Sequence, residues 1–270
     1  MPEPESTMNT THQIWIQGAT DRVAHSPYIT QLEAHVKRII DPAFSHSFNT
    51  TTPPATTTHA VTEFRMARNF MKNAVIAQQQ GYSAIAISHF QDAGLAEVKS
   101  LVDIPVIGLG ETTLMHACTL GRKFGLITIN PVFIPWHEDQ VVRYGLTQRC
   151  VGVRAVNCKV SDFMHAFATE EGYAELAPKF QKEVDHLLAA GADVIVPAGG
   201  LPMMMFGGRQ DHRKIRIQTE GAPIINGITV MIKAAEMAVR MRQLDDISVS
   251  RRSNYAHPPE QALKEFLEQG

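Results

Sequence analysis

Gly81-Tyr-Ser-Ala-Ile-Ala-Ile-Ser-His89 and Gly191-Ala-Asp-Val-Ile-Val-Pro-Ala-Gly199 are the two stretches that decide the fold. Each opens on a glycine, runs through a short apolar segment and ends on a small or polar residue, as a buried strand entered from a helix does. They stand 110 residues apart. A helical periodicity precedes each one: Val61, Phe64, Ala67, Met71, Ala74 and Val75 before Gly81, and Leu176, Phe180, Val184, Leu187 and Leu188 before Gly191. A glycine at that point supplies the left-handed residue that stops a helix. Downstream, Pro105-Val-Ile-Gly108 matches Pro223-Ile-Ile-Asn226 at an offset of 118, and Ile14 and Ile16 are matched with Leu126 and Ile127. Each half reads strand, long helix, glycine stop, strand, loop, proline-led strand, helix. That order predicts two copies of one α/β unit.

Strands are expected at residues 13–17, 84–88, 105–108, 125–129, 193–197 and 223–226, with a further one between Cys150 and Cys158. Short apolar runs alternating with helical patterns imply a parallel or mostly parallel sheet flanked by helices. The expected architecture is an α/β protein of two similar, pseudo-symmetric lobes with a cleft between them. Residues 1–11 are read as a disordered leader, 12–110 with 227–244 as the first lobe, 111–226 as the second, and 245–270 as a tail with a short helix.

Lys plus Arg number 25 against 27 for Asp plus Glu. This balance gives no electrostatic reason to expect nucleic acid or an anionic membrane as a partner, and no run approaches the ~18 apolar residues of a membrane span. The first dozen residues lack the basic-then-apolar pattern of a secretory signal. Three cysteines (Cys118, Cys150, Cys158) cannot build a disulfide framework and lack the spacing of a zinc site, so a cytoplasmic setting is expected.

In open α/β sheets ligands bind beyond the carboxyl ends of the strands. The two equivalent strands end at His89 and Gly199. If the lobes face each other, those positions look across one cleft, a geometry suited to removing a proton from one face of a stereocentre and supplying one to the other.

Several segments resemble the Asp/Glu/hydantoin racemase superfamily, hydantoin racemase above all. They are Ala84-Ile-Ala-Ile-Ser-His-Phe-Gln-Asp-Ala-Gly-Leu95, Ile104-Pro-Val-Ile-Gly108 with Glu111, Arg122-Lys-Phe-Gly-Leu-Ile-Thr128, Val142-Arg-Tyr-Gly145, Val153-Arg-Ala155 and Ala222-Pro-Ile-Ile-Asn-Gly227. The resemblance spans roughly residues 14–244. It implies acid/base chemistry without a cofactor on a small carboxylate or cyclic amide, in a chain that forms a homo-oligomer. It also implies two catalytic cysteines, and here this sequence departs. The first falls on His89 and the second on Gly199, and none of the three actual cysteines lies at either place. Of the first-loop motif, at Ile16-Gln-Gly-Ala-Thr20, only the Thr survives.

His89 is the expected catalytic residue, because an imidazole can give or take a proton near neutral pH; the plainer role is a hydrogen bond at a strand end. Glu111, opening a helix after a strand, is the second catalytic expectation, against a first-turn acid that only complements the helix dipole. Asp92 could orient His89 but more commonly would stabilise its turn. A metal held by His89, Glu111 and His116 is disfavoured by the five-residue spacing of the last two. For substrate, Thr20, Ser88 and Thr128 offer hydroxyls after strands, Gly199 and Gly200 offer backbone N–H groups, and Asn226 ends the last strand. The 203–206 run, Met-Met-Met-Phe, is core or an adaptable pocket wall. The loop 207–221, with Arg209, His212, Arg213, Lys214 and Arg216, reads as a solvated surface loop rather than a cationic lid, and the Thr-rich run 50–58 as a loop at the cleft mouth. Racemisation or isomerisation through His89 is the leading expectation. A one-sided decarboxylase or lyase, a ring-opening hydrolase and a non-catalytic binding protein are the alternatives.

Overall fold

The computed structural model describes residues 12–208 and 214–268, so the expected leader and Arg209, His212 and Arg213 lie outside the described residues. The first half runs β1 (His12–Gln17), α1 (Ser26–Ile39), β2 (Phe44–Asn49), α2 (Ala60–Gln79), β3 (Ala84–Ile87), α3 (Leu95–Leu101), β4 (Val106–Gly108) and α4 (Leu109–Leu120). The second runs β5 (Phe124–Thr128), α5 (Ile134–Arg143), β6 (Cys150–Ala155), α6 (Val160–Ala168), α7 (Glu170–Ala189), β7 (Val194–Pro197), α8 (Gly200–Phe206) and α9 (Gly227–Asp245), followed by α10 (Glu260–Glu268).

The first sheet has order β2-β1-β3-β4 and the second β6-β5-β7, with every pairing parallel. An isolated bridge from Ile195 to Ile224 stands where the second sheet would hold its fourth strand. The expected strand at 223–226 is reduced to that bridge, because Asn226 turns its side chain into the cap of α9.

The repeat is exact at the level of hydrogen bonds. Ser83 N donates to Gln13 O and Ser88 N to Gln17 O; 110 residues on, Asp193 N donates to Lys123 O and Ala198 N to Ile127 O. Ile85 N donates to Pro105 O, and Ile195 N to Pro223 O. Since Ile14 pairs with Ala84 and Phe124 with Val194, the counterparts of Ile14 and Ile16 are Phe124 and Leu126, one to two residues earlier than Leu126 and Ile127.

Alternation along the strands sorts the helices of the first sheet. Ile14, Ile16, Ala84 and Ala86 pack with Tyr28, Leu32 and Val36 of α1 in a core that continues through α4 and α9 into the second half. Trp15, Ile85 and Ile87 pack with Met66, Phe70, Ala74 and Ala77 of α2 in a separate core. The buried stripe of α2 is thus rotated from the expected one: Val61 and Phe64 are 69% and 73% exposed. The second long helix buries Leu176, Phe180, Val184 and Leu187. Met203, Met205 and Phe206 are buried, with Phe206 stacked 4.0 Å from Phe180; they are core, not pocket wall.

The tail is held along α3. Arg251 donates to Lys99 O at 2.8 Å and Val102 O at 2.6 Å, and His257 meets Asp103 at 3.1 Å.

Candidate active site

The strand parity that separates α1 from α2 also aims the residues after β3. Ile87 faces α2, so Ser88 turns toward α1 and His89 toward α2. His89 stands edge-on to Phe70 with ring centroids 6.0 Å apart, and its Nε2 lies 3.3 Å from Oε1 of Glu63 in the first turn of α2. Both line a cavity of about 380 Å³ at the carboxyl ends of the first sheet. Thr20, Asp21 and His25 from the loop after β1, Thr56 to Thr58 and Gln91 contribute to the first-half wall, while Phe133, Val160 and Leu201 line it from the second half. A carboxylate at this distance stabilises the positive charge that an imidazole gains with a proton. The site can therefore move a proton next to an apolar wall. His89 Nδ1 is buried and has no hydrogen-bond partner among the described residues.

Asp92 meets His89 only through the backbone, its N–H donating to the His89 carbonyl at 3.0 Å; its side chain is engaged elsewhere. Its buried carboxylate accepts from Gly110 N (3.0 Å), Glu111 N (2.6 Å), Tyr144 Oη (2.6 Å) and Gln140 Nε2 (3.1 Å). Burial pushes this carboxyl up to about 6, opposed by the bonds from Tyr144, Gly110 and Glu111. Its turn is the anchor of α4. Beside it, burial holds His137 down at about 4; His137 Nδ1 meets Gln140 Oε1 at 3.2 Å, and Gln140 also donates to Phe90 O.

Several expectations are corrected. Glu111 is not in the cavity wall: its carboxylate is drawn to Lys99 of α3, with which it ion-pairs at 2.6 Å. Glu63 is the carboxylate beside His89. Thr128 is buried at the end of β5, where its carbonyl accepts from Val156 N; the register matches it to Gly18 rather than Thr20. Asn226 caps α9 by accepting from Ile228 N and Thr229 N. His89, Glu111 and His116 are not gathered, and among the described residues no three His, Cys, Asp or Glu side chains are placed to hold a metal.

Thr20 lines the cavity, and it shares a recess of about 30 Å³ with Ser88 and Tyr28. Gly199 sits at the matching strand end with φ +126°, where a side chain is strained. Gly200 begins α8 under the Tyr28 hydroxyl, and Leu201, the next residue, is the one that reaches the cavity. None of the three cysteines lines it. The Thr-rich loop does reach the cavity, through Thr56, Thr57 and Thr58. Sequence reasoning missed Glu63 and His25. Glu63 sits in the first turn of a helix whose buried stripe had been read one face off; His25 follows an unremarkable loop.

Two parallel half-sheets with a cavity at their strand ends define an α/β protein of two like halves. The model of the Asp/Glu/hydantoin racemase family matches residues 25–235, and the chain belongs to that family: it is a racemase-type enzyme. It is 28% identical over 211 residues to the hydantoin racemase of Rhizobium meliloti, an alignment covering 78% of this chain and 80% of that one. It is 25% identical over 191 residues to the hydantoin racemase of Pseudomonas sp. (strain NS671), covering 71% and 70%. Among solved structures it resembles the allantoin racemase from Klebsiella pneumoniae with a TM-score of 0.75, at 20% identity and over 93% and 95% of the two chains. No helix among the described residues is long and apolar enough to cross a membrane.

Proposed function

We propose that this protein racemises a five-membered cyclic amide of the hydantoin type, without a cofactor, and that His89 takes the place of a catalytic thiol. The carrying observation is the His89–Glu63 pair, 3.3 Å apart at the edge of a cavity of about 380 Å³. A ring carbon flanked by a carbonyl and an amide nitrogen loses its proton to an enolate, and an imidazole backed by a carboxylate is suited to that exchange. The hydroxyls of Thr20 and Thr56 to Thr58 can orient the ring amides. The apolar wall of Phe133, Val160 and Leu201 accepts the ring's substituent, and the volume suits a small ligand.

That same wall favours a second reading. Among the described residues the second half offers no ionisable side chain to the cavity, which suits a one-sided reaction such as decarboxylation or ring opening.

Enantiopure 5-benzylhydantoin in heavy water separates the two. Racemisation gives inverted product carrying deuterium at the ring carbon, whereas ring opening gives a carbamoyl amino acid. His89→Asn keeps a polar side chain of similar reach but cannot exchange a proton. It should lose about 10²–10⁴-fold in turnover with an unchanged melting temperature; near-normal turnover would make His89 structural.

A further inference from the structure

We infer that His25 is the second catalytic residue, serving the face of the substrate opposite to His89; this rests on the racemase reading above.

The two imidazoles reach the cavity from opposite sides of the first sheet. His89 points to the α2 face, where Glu63 and Phe70 meet it. His25 is the residue that opens α1, and α1 covers the other face through Tyr28, Leu32 and Val36. Helix α1 is also seated on the second half: Gln31 Nε2 donates to Phe167 O at 3.1 Å, the rings of Tyr28 and Phe167 are 5.5 Å apart, and the Tyr28 hydroxyl lies against Gly200. The start of α1 is therefore held on the side of the cavity formed by Val160 and Leu201, and His25 lines the cavity there. Among the described residues the second half itself supplies only Phe133, Val160 and Leu201, and Gly199 has no side chain to offer.

The tautomer of His25 is set by its neighbour. Nδ1 is 3.0 Å from the carbonyl oxygen of Asp21, which can only accept, so Nδ1 carries the proton. Nε2 is left with a lone pair and has no hydrogen-bond partner among the described residues. The ring is fixed by this bond and by its place at the start of a helix, as a base must be to meet a substrate in one orientation.

The step balances as a proton relay through the substrate. His25 Nε2 takes the ring C–H proton, and the bonding pair passes into the enolate of the adjacent carbonyl. His89, protonated and paired with Glu63, gives its proton to the opposite face as the enolate pair returns to carbon. Exchange with water resets both rings. The other enantiomer reacts with the roles reversed.

The test uses the D and L forms of 5-benzylhydantoin in heavy water with the full chain, reading inversion by chiral chromatography and exchange by mass spectrometry. His25→Asn keeps a donor for the Asp21 carbonyl and deletes Nε2. It should lose inversion at least about 100-fold in both directions, yet still exchange the ring proton of one enantiomer without inverting it. His89→Asn should show the same behaviour with the opposite enantiomer. His25→Gln is the second variant should the first fail to fold. The inference is overturned if either His25 variant inverts substrate at close to the parent rate, or if it loses exchange with both enantiomers equally. If the parent protein itself neither inverts nor exchanges, the racemase reading falls, and this inference with it; inversion that survives loss of His25 removes His25 alone.

Discussion

At His137 the fold holds an imidazole in a place that disfavours its protonation. The ring is fully buried between Phe90 and Phe133, and burial holds its pKa at about 4, against an ordinary 6.5. Between those values the unfolded chain binds a proton that the folded chain does not, so the contribution of His137 to stability is fully present above pH 6.5 and is lost as pH falls toward 4. The loss by pH 5 is on the order of 1–2 kcal/mol. Asp92, whose carboxyl burial pushes up to about 6, acts in the opposite sense over the same range, so the raw pH profile mixes the two. The comparison that isolates His137 is urea unfolding of the parent and His137→Gln at pH 7 and pH 5. The parent should lose more stability on acidification than the variant does, and parallel losses would show that His137 is not the buried titrating group. The same residue-scale physics explains what could be read of the site beforehand. His89 was legible because a strand end after a glycine-stopped helix fixes where a side chain emerges. Glu63 and His25 were not, because a first-turn acid and a loop histidine carry no local pattern and gain meaning only when the sheet brings them together.

Helix α4 shows how an element is fixed by one side chain outside it. Gly108, its N-cap, has no side chain, and Asp92 supplies the missing acceptor to Gly110 N and Glu111 N from the loop after β3. The same carboxylate takes Tyr144 and Gln140 from the end of α5, tying two helices to the turn that carries His89. Asp92→Asn would face either Gly110 N, which bonds Oδ1, or the three donors on Oδ2 with an NH₂ group. It should cost about 2–4 kcal/mol, read as a lower urea midpoint with unchanged slope; a change below about 0.5 kcal/mol would mean that the donors find other partners. Among the elements, those with strong periodicity were legible. The helix before Gly191 and strands β1, β3, β5 and β7 came from apolar runs with glycine punctuation. Strand β2 did not: Phe44-Ser-His-Ser-Phe-Asn49 is an edge strand whose alternation is diluted by serines, and only its pairing with β1 makes it a strand. The stripe on α2 was misplaced because Val61 and Phe64 are as apolar as Met66 and Phe70, and helical spacing alone cannot say which of two adjacent faces the sheet will cover.

Across the whole molecule the two halves repeat in their sheets but are joined asymmetrically, and the join sets the shape of the cavity. Helix α1 crosses from the first sheet to the second half and meets α8 where Gly200 passes under the Tyr28 hydroxyl. A Cβ on Gly200 would lie 2.3 Å from that oxygen and 3.3 Å from the carbon bearing it. Tyr28 cannot swing aside, since it is only 5% exposed and packed on Phe167. Gly200 is not among the glycines with positive φ, so the need for glycine here is one of space and not of backbone freedom. Gly200→Ala should therefore push α1 off α8 and destabilise the protein by about 1–3 kcal/mol, the usual cost of overpacking. Tyr28→Phe removes the atom that clashes. On that background the same alanine should cost less, giving a coupling of at least about 0.5 kcal/mol in a double-mutant cycle. Urea midpoints of the four proteins measure it. Because His25 opens α1, the single Gly200→Ala variant should also lose turnover, and Tyr28→Phe should restore part of it. If the alanine costs the same on both backgrounds, the phenol is not what spaces the halves, and the cavity owes its width to other contacts.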